Sequence, residues 1–157
     1  MRWQTTIRRA RTADVGAISA LVNGFAAEDV MLPRTPEQVA LALDDYVVAT
    51  DAHGRVLACG ALREYSPSLA ELVSLAVARE AHGRGLGRLI VAGVERLAVA
   101  RGFASVFAHT LTPSFFEAVG YTAVDRELYP EKCARPHTTC LRRSLAAAAE
   151  SAFAAAA

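Results

Sequence analysis

The first residues whose types and spacing point to chemistry are Gly83, Gly85 and Gly87, three glycines at alternate positions in AHGRGLGRLIV. Apolar residues then recur at intervals of three and four, which predicts an amphipathic helix directly after the glycines. Glycine permits positive φ and has no Cβ, so main-chain N–H groups can converge on a ligand. Because a helix N-terminus adds free N–H groups and the positive end of its dipole, the segment predicts an anion site, most simply for phosphate.

Two common phosphate loops do not fit these residues. The P-loop motif needs Gly-Lys-Ser/Thr after a longer glycine spacing, and the chain has no such run. The Rossmann fingerprint needs G-x-G-x-x-G, whereas this loop reads G-x-G-x-G, and no acidic residue ends a second strand about 20 residues later. A ligand-free turn between strand and helix stays open for the loop taken alone.

The segments LVSLAV and HGRGLGRLIV together resemble the acyl-CoA signature of the GNAT superfamily of N-acetyltransferases: a strand, then Gln/Arg-x-x-Gly-x-Gly/Ala, then a helix. Gly85 and Gly87 occupy the glycine positions, and His82 stands where Gln or Arg is usual. The resemblance implies acetyl-CoA as co-substrate, with its pyrophosphate bound by loop N–H groups. The CoA-binding residues that it implies are Leu75, Ala76, Val77, His82, Gly83, Arg84, Gly85, Leu86, Gly87, Arg88 and Phe116.

The composition of the 157 residues favours one domain over 1–145, with an alanine-rich tail over 146–157. Basic and acidic residues nearly cancel, 17 against 16, which gives no reason to expect nucleic acid or a membrane surface as partner. The chain has neither a signal-peptide core nor the ~18 continuous apolar residues of a membrane span, so a cytoplasmic protein is expected. The oligomeric state stays open, with a homodimer as one alternative.

Cysteines and histidines give little support for a metal site. Cys59, Cys133 and Cys140 lack C-x-x-C spacing, and the four histidines form no H-x-x-x-H pair. We therefore expect no metal, reduced thiols, and Cys59 as a small core residue.

The predicted element order is β-α-α-β-β-β-α-β-α-β-β, which matches the GNAT fold. The first helix has Thr12 or Asp14 as its cap, the second has Thr35 as cap and Pro36 in its first turn, and a hairpin turns at DAHG. The resemblance implies an α+β (α/β/α) fold: a central mixed, mostly antiparallel sheet with a splay between the fourth and fifth strands.

The reaction that the resemblance implies is direct attack of a free amine on acetyl-CoA, without an acetyl-enzyme. The thioester lies in the splay, and pantetheine amides pair with the strand at Leu75 and Val77. Such a reaction needs a base for the ammonium and an acid for the leaving thiolate.

The tyrosine that serves many GNAT enzymes as that acid is replaced here, because FFEAVGY places Phe116 at its position. We expect Phe116 to pack against the pantetheine arm or the core. Thr110 on the splayed strand stands where the N-acetylglutamate synthases, which the chain also resembles, carry a hydroxyl residue. That resemblance implies Thr110 as a candidate to donate to the sulfur, with a plain strand threonine as the alternative. Tyr129 is a weaker candidate, and solvent is another source of the proton.

A narrower resemblance is to the acetyltransferase domain of N-acetylglutamate synthase, particularly its short stand-alone form. It rests on IRRARTADVGAI, EDVMLPRTPEQV, AELVSLAV, FFEAVGY and YPEK, covers Ile7 to Lys132, and fades at CARPHTTC. It implies L-glutamate as acceptor, in the first step of arginine biosynthesis.

Substrate and catalytic roles follow from this resemblance position by position. Glu71 is the candidate base, with an exposed strand-end carboxylate as the alternative. Arg34 is placed to bind a substrate carboxylate, since guanidinium and carboxylate form a two-bond fork, although a solvated arginine near a helix cap would look the same. Ser74 is expected to line the acceptor pocket, and Lys132 to reach the second carboxylate unless it is a surface lysine.

Other functions remain open at this stage. Glutamine, aspartate or another amino acid could replace glutamate. A different GNAT enzyme would acetylate a polyamine, an antibiotic amine or a protein N-terminus and would favour an acidic acceptor pocket. A non-catalytic acyl-CoA-binding domain is the alternative from another class.

Overall fold

The computed structural model describes residues 4–125, 128 and 137–146. Its helices and strands follow the predicted order: β1 Thr6–Arg9, α1 Val15–Ala26, α2 Pro36–Leu41, β2 Tyr46–Thr50, β3 Val56–Ser66, β4 Leu69–Val77, α3 Leu86–Ala100, β5 Ser105–Thr110, α4 Pro113–Ala118, β6 Thr122–Val124 and β7 Thr139–Ser144. Short 3₁₀ turns occupy Thr12–Asp14, Leu43–Asp45 and Arg79–Ala81. Among these described helices, none combines the length and the apolar character needed to cross a membrane.

The described strands form a seven-stranded sheet in the order β1-β2-β3-β4-β5-β7-β6. Strands β1 and β2, β2 and β3, β5 and β7, and β6 and β7 pair antiparallel, whereas β4 and β5 pair parallel. The predicted mixed, mostly antiparallel sheet is therefore confirmed. The parallel pairs run from Leu69–Ser105 to Leu72–Ala108, and β4 itself continues to Val77.

The chain divides into two compact units, which we call the first unit (residues 1–62 and 74–94) and the second unit (residues 63–73 and 95–157). The first unit buries apolar side chains of α1, α2, β2 and the first half of α3 completely. These residues are Ile18, Val22, Val39, Val48 and Ile90. In the second unit, Phe107 and Cys140 are fully buried and pack against Tyr65, Leu69 and Val124.

The start of α1 differs in detail from the expectation. Asp14 is the residue before the helix, but its carboxylate does not cap it. Instead it accepts two hydrogen bonds from the Arg8 guanidinium, at 2.7 and 3.0 Å, and one from the Arg11 amide at 2.7 Å. The carboxylate is buried, and the arginine holds the pKa of Asp14 below its usual range. A buried ion pair therefore joins β1 to the beginning of α1.

The predicted start of α2 is confirmed. The Thr35 hydroxyl accepts from the Gln38 amide at 3.1 Å, the Gln38 side chain accepts from the Thr35 amide at 2.9 Å, and Pro36 occupies the first turn. This reciprocal pair satisfies two backbone donors that a helix start otherwise leaves without partners.

In the second unit, a polar cluster contacts the end of α4. Arg143 donates to the Val119 carbonyl at 2.9 Å and to both Glu95 oxygens at 3.3 Å, and the Tyr121 hydroxyl donates to Glu95 at 3.4 Å. Burial raises the pKa of Glu95, while Arg143 favours its ionised form. The guanidinium thus fixes the last turn of α4 to β7 and α3.

Candidate active site

The glycine loop uses two of its three glycines for backbone freedom. Gly83 and Gly85 have φ of 79° and 75°, in the left-handed region that side chains rarely adopt. Gly87 lies inside α3, which begins one residue earlier than the glycine spacing suggests, at Leu86. The loop therefore turns twice before its chain enters the helix.

The loop fits a phosphate group of acetyl-CoA. A Cβ built at Gly83 or Gly85 would meet nothing within 4 Å, so both positions border open space. The first hydrogen bond of the helix runs from the Leu89 amide to the Gly85 carbonyl, at 3.2 Å. The amides of Leu86, Gly87 and Arg88 come before it in the chain, so they have no acceptor within the helix. Converging N–H groups beside open space are what pyrophosphate oxygens require.

His82 connects the loop to the end of β4. Its Nε2 lies 2.8 Å from the Val77 carbonyl, and its ring stacks on Phe25 of α1 with the centroids 6.4 Å apart. Arg79 lies over the same phenyl ring at 5.2 Å. The unusual histidine of the motif thereby anchors the loop to a strand and a helix of the first unit.

The two arginines predicted to flank the glycines differ in their surroundings. Arg84 donates to the Glu80 carbonyl at 3.0 Å, whereas Arg88 is exposed in the first turn of α3. Arg88 is therefore accessible to an anion at that helix terminus.

Ser74 lies within β4 and has a φ of 55°, unusual for a residue other than glycine. The Tyr46 hydroxyl donates to its Oγ at 3.4 Å, and the Cys59 thiol donates to its carbonyl at 3.3 Å. Burial raises the pKa of Cys59 to about 12, which keeps the thiol neutral and fits its predicted core role. In the rest of β4, Ala76 is buried while Leu75 and Val77 are half-buried.

Glu71, the candidate base, lies on β4 and is only 6% exposed, so the exposed-carboxylate alternative is not observed. Thr110 ends β5 half-buried, and its hydroxyl accepts from the Thr112 amide at 2.9 Å. That bond belongs to the turn after the strand. The catalytic roles of both residues stay predictions.

His109 was missed by the sequence analysis. Glu71 lies opposite Phe107 in the parallel ladder, and His109, two residues further along β5, belongs to the same face of the sheet. Its Nε2 is hydrogen-bonded to the hydroxyl of Thr138, which is buried. The alternation of side chains in ASVFAHTL could have placed His109 on the same face as Glu71, had the partner strand of β5 been known.

Phe116 is 4% exposed and makes edge contacts with Phe115 and Tyr121, at centroid distances of 5.1 and 5.3 Å. Of its two predicted environments, packing in the core is observed, and contact with pantetheine stays a prediction. Lys132, Tyr129 and Cys133 lie outside the described residues, as does the tail from residue 147.

Arg34 is half-buried before α2, and its backbone is held by two side chains of α1. Asn23 and Ser19 both donate to its carbonyl at 2.8 Å, and its amide donates to Asn23 at 2.8 Å. Neither α1 residue was singled out by the sequence analysis, because nothing local signals such a contact. The first unit thus holds Arg34, Ser74 and the glycine loop, and the second holds Glu71, Thr110 and Phe116.

Comparison with known proteins identifies the family of this chain. The acetyltransferase (GNAT) family model matches residues 18–122. An N-acetyltransferase of Chlorobaculum tepidum is 40% identical over 139 residues, 88% of this chain and 89% of that protein. The amino-acid acetyltransferase of Mycobacterium tuberculosis is 32% identical over 134 residues, 81% of this chain and 76% of that protein.

Among solved structures, Rv2747 from Mycobacterium tuberculosis in complex with CoA and NLQ superimposes with a TM-score of 0.79 at 26% identity, covering 88% of this chain and 98% of that one. The fold of this chain is thus shared with a protein whose structure contains CoA. The chain belongs to the acetyltransferase (GNAT) family and is an acetyl-CoA-dependent N-acetyltransferase.

Proposed function

We propose that this enzyme acetylates the α-amino group of an amino acid and that L-glutamate is its acceptor, as in the first step of arginine biosynthesis. The observation that carries the proposal is Arg34, whose backbone is fixed by three hydrogen bonds of 2.8 Å. A guanidinium on a fixed backbone is suited to a carboxylate and repels a polyamine. The similarity to an amino-acid acetyltransferase over 81% of the chain supports the same acceptor class.

Glu71 is the proposed base. An amino acid reaches the enzyme with a protonated ammonium, which has no lone pair for attack. The Glu71 carboxylate, nearly excluded from solvent, takes one proton from that ammonium directly or through one water. The free amine can then form the new N–C bond as the C–S bond breaks; the nitrogen loses its second proton to solvent, and the departing thiolate takes a proton from solvent to leave as the CoA thiol.

The remaining residues bind and orient. Acetyl-CoA supplies the activated acetyl group, and the N–H groups around Gly83 and Gly85 bind its pyrophosphate. We assign Thr110 to donate a hydrogen bond to the departing sulfur, since Phe116 has no hydroxyl. We assign Ser74 to line the acceptor pocket; Lys132, which lies outside the described residues, stays a candidate for the second carboxylate.

A panel of acceptors tests the proposal. The enzyme is supplied with acetyl-CoA and with L-glutamate, L-glutamine, L-aspartate, spermidine or a peptide with a free N-terminus, and release of the CoA thiol is followed with a thiol reagent. We expect the highest kcat/KM for L-glutamate and the lowest for spermidine. A higher kcat/KM for spermidine or the peptide would overturn the assignment to amino acids.

A further inference from the structure

The side chain of Asn23 binds both main-chain polar groups of Arg34, its amide and its carbonyl. Asn23 Nδ2 donates to the Arg34 carbonyl and Asn23 Oδ1 accepts from the Arg34 amide, each at 2.8 Å. The amide group thereby imitates a neighbouring β-strand. Because both bonds go to one residue, they fix its position and its orientation together.

Ser19 completes this contact from one helical turn earlier on α1. Its hydroxyl donates to the same Arg34 carbonyl at 2.8 Å, and Asn23 Nδ2 lies 3.2 Å from the Ser19 oxygen. Ser19 is 4% exposed, so its hydroxyl has little contact with competing water. The arrangement is a closed triangle of Ser19, Asn23 and the Arg34 backbone.

The guanidinium of Arg34 is not used in this triangle. Its Nη1 donates to the Pro33 carbonyl at 2.9 Å, which occupies one of the three guanidinium nitrogens. The backbone of Arg34 is thus fixed by α1, and α2 begins at the next cap, Thr35. Fixing the backbone before binding reduces the conformational entropy that an arginine loses when it binds a carboxylate.

We propose that Asn23, assisted by Ser19, is a positioning residue for the acceptor carboxylate and acts through Arg34. This inference rests on the proposed function, in which Arg34 binds the acceptor. Asn23 itself does not touch the acceptor; it sets where the guanidinium stands and so tunes the affinity for the acceptor's carboxylate.

A double-mutant cycle tests the inference. In the full-length enzyme, Asn23→Ala should raise the KM for the preferred acceptor about 10-fold through the loss of two hydrogen bonds, and kcat should change much less. Ser19→Ala leaves both Asn23 bonds in place and should raise KM by about 2- to 3-fold. In an Arg34→Ala background, Asn23→Ala should have almost no further effect on KM, because the guanidinium that Asn23 positions is gone, although its two bonds to the main chain at position 34 remain.

Gln38→Ala is the matched control, since it removes a side-chain bond to the Thr35 amide, one residue after Arg34. It should lower the melting temperature without raising the acceptor KM. The Kd for acetyl-CoA should stay constant in the four single variants and in the Asn23/Arg34 double variant. Should Asn23→Ala fail to fold, Ser19→Ala and its cycle with Arg34→Ala carry the same test.

The outcomes distinguish failure of the positioning role of Asn23 from failure of the acceptor role of Arg34. An equal loss of kcat/KM from Asn23→Ala with and without Arg34 would overturn the positioning role and leave the acceptor assignment intact. An unchanged KM in both Asn23→Ala and Ser19→Ala would do the same. If Arg34→Ala itself acetylates every acceptor of the panel as the parent does, the role of Arg34 in the proposed function fails, and the inference fails with it.

Discussion

Gly60 on β3 lies so close to Ile90 on α3 that a Cβ at position 60 would stand 2.6 Å from Ile90 Cγ2. Real side chains essentially never approach so closely, and both residues belong to the buried part of the first unit. The missing Cβ therefore lets the first half of α3 pack against β3. The glycine loop directly precedes this half of the helix.

Gly60→Ala should destabilise the fold by about 1 to 3 kcal/mol, because the extra methyl group overpacks this contact. Urea unfolding measures the effect, and adding Ile90→Ala should cost less in this background than in the parent. Gly16→Ala is the control: a Cβ there meets nothing within 4 Å, and alanine favours a helix. A Gly60→Ala protein as stable as the parent would refute the close packing.

Gly85→Val should abolish acetyl-CoA binding. Valine is strained at a φ of 75°, and its side chain would fill the open space at the phosphate site. The matched control is Gly54→Val in the β2–β3 turn, where φ is 81° and the surrounding space is equally open. Isothermal titration calorimetry should show that only the Gly54 variant still binds; retained binding in folded Gly85→Val would make the loop a plain turn.

Glu71→Gln should lower kcat by about 10² to 10⁴-fold and leave the acetyl-CoA Kd nearly unchanged, because only the proton acceptor is removed. The residual rate should recover at high pH, where the acceptor amine is deprotonated without help. Glu64→Gln, at an exposed position of β3, should behave like the parent. Steady-state kinetics across pH decide the matter, and a parent-like turnover and profile would make Glu71 structural.

Arg34→Ala should cost about 2 to 4 kcal/mol in kcat/KM for L-glutamate, through loss of a charge-assisted two-bond contact. Binding of acetyl-CoA should barely change, which equilibrium titration can check. Arg96→Ala, at an exposed position of α3, serves as the comparison for removal of one positive charge. Equal kcat/KM values for the two variants would remove Arg34 from the acceptor site.

Asp14→Asn should destabilise the enzyme by about 1 to 3 kcal/mol at pH 7, since the Arg8 bonds lose their ionised acceptor. Arg8 lowers the pKa of Asp14 in the folded state, so this stabilisation is complete above the unfolded pKa of about 3.9 and is lost as the pH falls through the folded pKa. Urea unfolding at pH 7 and at about pH 3 should therefore show a shrinking difference between variant and parent. A difference that is constant over this range would contradict the contribution of the ion pair.

The order of elements was predictable because its signals are local. The Thr35-Pro36 start of α2, the turn between β2 and β3, and the glycines before α3 each depend on residues adjacent in the chain. The recurrence of apolar residues then predicted that the segment after the glycines is an amphipathic helix. The family resemblance predicted that β4 and β5 are neighbours with a splay between them, which no local pattern contains; their parallel direction came from the structure.

The missed features depend on residues distant in sequence. Asn23 binds Arg34 eleven positions later, and His109 binds Thr138 across 29 positions. Asp14 looked like a cap for α1, but a guanidinium on β1 competes for its carboxylate. Tertiary contacts of this kind decide which of several possible partners a polar side chain takes, and residue types alone do not reveal them.

Ser74 keeps its left-handed backbone in the middle of a strand, where glycine would fit without strain. This conformation costs a residue with a Cβ about 1 kcal/mol of folding free energy. Glycine would avoid that cost but would lack the serine hydroxyl. Selection for thermal stability would therefore favour glycine at position 74, whereas selection for the hydroxyl favours serine. A heat-adapted descendant that retained the serine would have to recover the stability elsewhere in its sequence.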